Sequence, residues 1–126
     1  MDLRSIAFVF VGGGLGAVAR FLIATLAVQR FGTAFPWGTL VINVLGSFLI
    51  GIVIALAGVR LVSPDARLFL AVGVLGGFTT FSTFSYDTLT LINDGAVLQA
   101  SLYAAGSVIA GLLAAFIGVA LVRAIS

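Results

Sequence analysis

Asn43 sits in an otherwise apolar segment, with Thr39, Ser47 and Gly51 around it at intervals of four. On a helix that spacing makes one narrow polar stripe. A carboxamide has two N–H donors and an acceptor oxygen to satisfy. Asn43 therefore either bonds a neighbouring helix or lines a polar path with its NH₂ group. Tyr103, Ser107, Gly111 and Ala115 repeat the spacing further along the chain. By itself that repeat suits close packing, yet two hydroxyl-bearing stripes can also wall a narrow wet track between them.

A third group is denser. Gly76 to Asp87 reads GGFTTFSTFSYD. Paired glycines are poor helix formers, and β-branched threonines lose rotamers in a helix. The stretch predicts a break in a helix, where Ser and Thr hydroxyls can bond the freed backbone groups. Such breaks hold ions in transporters. Phe81 and Phe84 share a face, as do Ser82 and Ser85. Aromatic rings carry a positive edge. Ring edges and hydroxyls together attract an anion without a full cation to trap it. The plainer alternative makes the rings lipid-facing bulk and the hydroxyls helix glue.

Two charged residues complete the set. Arg20 lies among Gly, Ala, Val, Leu, Ile and Phe, where a charge costs a few kcal/mol on insertion scales. It either snorkels to an interface or draws anions into a vestibule. Asp87 is an acid inside a hydrophobic segment, suited to pairing with an arginine, lying at an interface or carrying protons.

These residues need a frame, and composition supplies it. The chain has 126 residues, 62% hydrophobic and 8% charged, with mean hydropathy +1.33. A soluble domain is about a quarter charged, so the expected solvent is lipid. With no Cys and no His, disulfides, thiolate metal sites and the usual proton shuttle are excluded. A net charge of +2, carried by scattered arginines, gives no nucleic-acid surface. No acid pair lies within one span and no phosphate-binding loop is present, so an enzyme or an ATP-driven pump is not expected.

A hydrocarbon core of about 30 Å takes about 20 apolar helical residues. Four segments qualify: about 5–29, 37–59, 68–92 and 98–122. The links carry turn signals, Pro36, Ser63-Pro64-Asp65 and Asn93-Asp94-Gly95, and are too short for another domain. The expectation is a single all-α transmembrane domain over residues 1–126, its third helix broken near mid-membrane. Arg4, Arg60, Arg67 and Arg123 fall on one side and Arg30 on the other, which favours cytoplasmic termini.

GGFTTFSTFSYD at 76–87 resembles the central signature of the Fluc/CrcB fluoride channels. GGGLGAVAR at 12–20 and WGTLVINVLG at 37–46 do likewise, in the same order and spacing over nearly the whole chain. The resemblance implies a passive fluoride-selective channel in the cell inner membrane, exporting cytoplasmic fluoride. It implies an antiparallel, dual-topology homodimer with two fluoride pores along the subunit interface. A structural sodium ion would lie at the dimer centre on backbone carbonyls, by position those of Gly76 and Thr79. Phe81 and Phe84 correspond to the pore phenylalanines and Asn43 to the pore asparagine. Thr39, Thr83, Tyr103 and Ser107 fall on the polar track, and Arg20 near a pore vestibule. The chain departs from the pattern at Asp87, where Glu is usual, and at Gly111, where a second track serine is expected. The uneven arginine count leaves an oppositely oriented sister subunit as the alternative partner. A proton-coupled transporter using Asp87 and a non-transporting scaffold are the rival functions.

Overall fold

The computed structural model describes all residues from Met1 to Ser126. Helix α1 (Leu3–Phe31) begins behind Asp2, whose carboxylate accepts the Ser5 N–H at 2.8 Å. That bond holds the Asp2 carboxyl below its ordinary value. Gly32, at φ 75°, ends the helix in a conformation that favours glycine. Helix α2 (Trp37–Gly58) follows Pro36. The third crossing is composite: α3 (Pro64–Arg67), a π-helical stretch (Leu68–Leu75), α4 (Gly76–Phe78) and, after two extended residues, α5 (Phe81–Asn93). Helix α6 (Val97–Ile125) completes the chain.

Four stretches are long and apolar enough to cross a membrane: Leu3–Phe31, Trp37–Gly58, Pro64–Asn93 and Val97–Ile125. The shortest, at 22 residues, rises about 33 Å at 1.5 Å per residue, enough for the hydrocarbon core. The ends agree with an even number of crossings. Arg4, beside the N-terminus, is paired with Asp65 in α3, at the start of the third crossing, and its guanidinium lies 5.6 Å from the Phe8 ring centroid.

Burial is distributed as lipid requires. Only 17 of 126 residues are buried, so most apolar side chains face outward. Phe10 and Phe116 expose 81% and 71% of their surface. Such faces are unfavourable in water by roughly 25 cal/mol per Å² and call for lipid or another protein. The chain forms a multi-pass membrane protein.

Small residues bring the helices together. A Cβ on Gly12 would lie 2.7 Å from the Phe69 carbonyl oxygen, and one on Gly16 would lie 2.8 Å from the Phe78 nitrogen. The glycines of α1 thus seat the π-helical stretch and α4, as small residues do where helices approach closely in lipid. On the other side, a Cβ on Gly51 would run into the Ala115 backbone, and one on Gly118 into the Phe48 carbonyl. The stripe of α2 therefore packs against the stripe of α6.

Candidate functional site

The third crossing leaves helical geometry at Thr79 (φ −86°, ψ 156°) and Thr80 (φ −153°, ψ 129°), midway along its 30 residues. The adjacent glycines, expected to weaken the helix, are themselves helical. Gly77 serves close approach instead, since a Cβ there would strike the Gly13 backbone. The threonines carry the break because each hydroxyl finishes one half-helix. Thr79 Oγ1 and the Thr79 N–H both donate to the Leu75 carbonyl, at 2.9 and 3.0 Å. Thr80 Oγ1 accepts the Thr83 N–H at 3.3 Å and so caps α5.

Asn43 fills the gap from α2. Its Oδ1 accepts the Thr80 N–H at 3.2 Å, and its Nδ2 donates to the Thr80 carbonyl at 3.4 Å. One side-chain amide thus substitutes for helical bonds at both backbone groups of Thr80. In an unbroken helix the Thr80 N–H would bond the Gly76 carbonyl, so that carbonyl loses its helical donor. Asn43 is an interhelical bridge, and it keeps a second Nδ2 hydrogen for other use. Arg20 reaches the same region, its Nε donating to the Gly77 carbonyl at 3.2 Å with the side chain half-buried.

Below the break lies a groove of about 370 Å³. Asn43, Ser47, Gly76, Thr79, Phe81, Phe84 and Ser107 line it. Ser107 Oγ is buried there with no hydrogen-bond partner, an uncommon state for a buried hydroxyl. Phe81 and Phe84 share one face as their spacing predicts, with ring centroids 5.4 Å apart at 34°.

The remaining expected residues belong elsewhere. Thr39, Thr83 and Asp87 line a second hollow, about 600 Å³, between the α1–α2 turn and the outer part of α5, with Asp94 at its rim. Tyr103 stands between the two spaces, only 1% exposed. Its hydroxyl donates to Asp87 Oδ2 at 3.1 Å, a pairing that the sequence does not signal. Its ring lies 5.3 Å from Phe84 and 5.6 Å, edge-on, from Phe35. Phe35 in turn lies 4.7 Å from Trp37. An aromatic row therefore runs from the break to the α1–α2 turn. Phe35 escapes sequence reasoning because it stands in a turn, outside any periodic pattern. Its neighbour Pro36 is the only local signal.

Amide and hydroxyl groups and aromatic rings thus line the groove at the helix break, whereas the second hollow adds the Asp87 and Asp94 carboxylates.

Comparison with known proteins gives the family. The family described as "CrcB-like protein, Camphor Resistance (CrcB)" matches residues 7–119, and the chain belongs to that family. It is 53% identical over 110 residues to a "Fluoride-specific ion channel FluC" of Thermus thermophilus, covering 87% of this chain and 88% of that one. It is 50% identical over 124 residues to the protein of that name from Chlorobaculum tepidum, covering 98% of each. The Novosphingobium aromaticivorans protein, again so named, is 46% identical over 126 residues, with 98% of this chain and 100% of that one covered. These relatives bear a channel's name and not an enzyme's.

Proposed function

We propose that this protein is a fluoride channel that lets cytoplasmic fluoride leave the cell down its electrochemical gradient. The observation that carries the reading is the buried, unpartnered Ser107 hydroxyl. It shares the groove with Asn43, Phe81 and Phe84 at the helix break, in a chain half identical to proteins named as fluoride-specific channels. Fluoride is small, strongly hydrated and purely an acceptor. A path for it must replace water by donors and hold the ion weakly at several points, so that it can also leave. The second Nδ2 hydrogen of Asn43, the Ser107 hydroxyl and the ring edges of Phe81 and Phe84 meet that need. Thr39, Thr83 and Tyr103 continue the path toward the second hollow, and Arg20 supplies positive potential near a vestibule.

The working unit is an antiparallel homodimer in the inner membrane. Phe81, though a path residue in this reading, exposes 77% of its surface on the single chain. A second copy would close the groove over it and yield two pores. A structural sodium ion fits the break. The Gly76 carbonyl has lost its helical donor to Asn43, Thr79 is turned out of helical geometry, and both residues line the groove. Hard cations take oxygen ligands in sets larger than two, so the same carbonyls of a second copy would complete the set. When bound, the ion ties the broken helices of the two copies together. Exchanging sodium for N-methylglucamine is therefore expected to lower the melting temperature of the purified dimer. An unchanged melting curve would speak against the ion.

The function is tested by efflux from liposomes carrying the purified protein, read with fluoride and chloride electrodes in parallel. Rapid fluoride release with chloride retained is expected. Retention of both ions would refute the homodimeric channel, and release of both would refute its selectivity.

A further inference from the structure

We propose that Ser47, on α2, supplies to the anion path the hydroxyl that Gly111, on α6, does not. This rests on the fluoride-channel reading and adds a donor to it. Three observations carry it. Ser47 lines the same groove as Asn43 and Ser107. Its Oγ lies 3.3 Å from where a side chain on residue 111 would begin. The Ser47 hydroxyl occupies, from the facing helix, the space such a side chain would enter.

The third observation is what the hydroxyls do. In a membrane helix a Ser or Thr usually bonds the carbonyl one turn back. Ser85, Thr88 and Ser101 do so, at 3.0, 2.8 and 2.9 Å. At the break Thr79 Oγ1 is committed to Leu75, and Thr80 Oγ1 to Thr83 and Ser82. Ser47 takes part in none of these bonds and is only partly buried. Its donor is free on the groove side, one helical turn from Asn43. With Ser107 it forms a pair of uncommitted hydroxyls in one narrow space. An acceptor-only ion passing there meets donors from both walls.

The exchange can be reversed. Ser47→Ala removes the hydroxyl at nearly constant size. Adding Gly111→Ser returns a hydroxyl to the same space from α6, and the contact that would crowd it is gone in the alanine background. Fluoride efflux is measured for wild type, Ser47→Ala and the double variant, with chloride as control and thermal unfolding as a check on folding. Ser47→Ala is expected to slow fluoride efflux by about tenfold, the order of one hydrogen bond. The double variant is expected to recover most of the wild-type rate. Ser47→Cys keeps the volume with a weaker donor and is expected to be slowed as well, should alanine disturb the helix pair.

A wild-type rate in Ser47→Ala or Ser47→Cys overturns this role alone. A slowed Ser47→Ala that the second substitution does not rescue also overturns it, leaving Ser47 a packing residue. Wild-type protein that releases no fluoride would remove the functional reading itself, and this role with it.

Discussion

Asn43→Leu is expected to abolish fluoride efflux and to lower the stability of the fold together. Leucine matches the bulk of asparagine and keeps none of its bonds. The Thr80 N–H and carbonyl, which Asn43 engages at 3.2 and 3.4 Å, would lose that partner inside the protein. An unsatisfied buried donor or acceptor costs about 1–3 kcal/mol. The break would then close toward a continuous helix, with the Thr80 N–H returning to the Gly76 carbonyl. Either way the groove is lost. Asn43→Asp separates the two duties. Its carboxylate still accepts the Thr80 N–H, so the break is held on that side. It offers no donor to the path and places a negative charge there. Asn43→Asp is expected to stop fluoride release while retaining more of the melting temperature than Asn43→Leu. Measurable efflux through either variant would contradict a path along Asn43.

The second large effect is expected at Phe84. Its ring bridges Phe81 at 5.4 Å and Tyr103 at 5.3 Å, so it belongs to both the groove and the aromatic row. Phe84→Ile keeps apolar bulk but has no positive ring edge. Fluoride efflux is expected to fall by at least about tenfold, equivalent to about 1.4 kcal/mol of barrier, with chloride still retained. Aromatic pairs contribute about 0.5–1.5 kcal/mol beyond their buried area, so some loss of stability should accompany it. Phe81→Ile serves as the cleaner comparison. That ring is largely exposed on the single chain, and its replacement should affect transport more than the fold of the subunit. Unchanged fluoride efflux in both variants would leave a channel but take the two rings out of its path. It would leave the rings as lipid-facing bulk.

Much of the frame is legible because a membrane imposes strong local rules. A span must be apolar for its full length, and charges collect in the links. The four crossings of the structure therefore extend the expected segments by only a few residues at most ends. The third segment differs most. Its helix begins at Pro64, behind Ser63, whose hydroxyl accepts the Ala66 N–H at 3.1 Å. By polarity alone the Ser-Pro-Asp cluster belongs to the link, whereas it starts the helix. The glycine spacing in α1 and the four-residue stripes of α2 and α6 are also readable, since residues one turn apart must share a face.

The sequence by itself determined an all-helical membrane chain, its crossings, a weak point in the third and a polar stripe on each of two helices. Those follow from hydropathy, helical period and backbone preference, which are properties of neighbours along the chain. Only the tertiary structure decided that the break falls on Thr79 and Thr80 and not on the glycines. It alone decided that Asn43 bridges the break, that Arg20 binds Gly77, that Asp87 takes the Tyr103 hydroxyl and that Ser107 is left without a partner. The physical reason is common to all of them. A polar group in lipid must find its partner within protein. Which partner it finds depends on what another helix, tens of residues away, brings to the same depth.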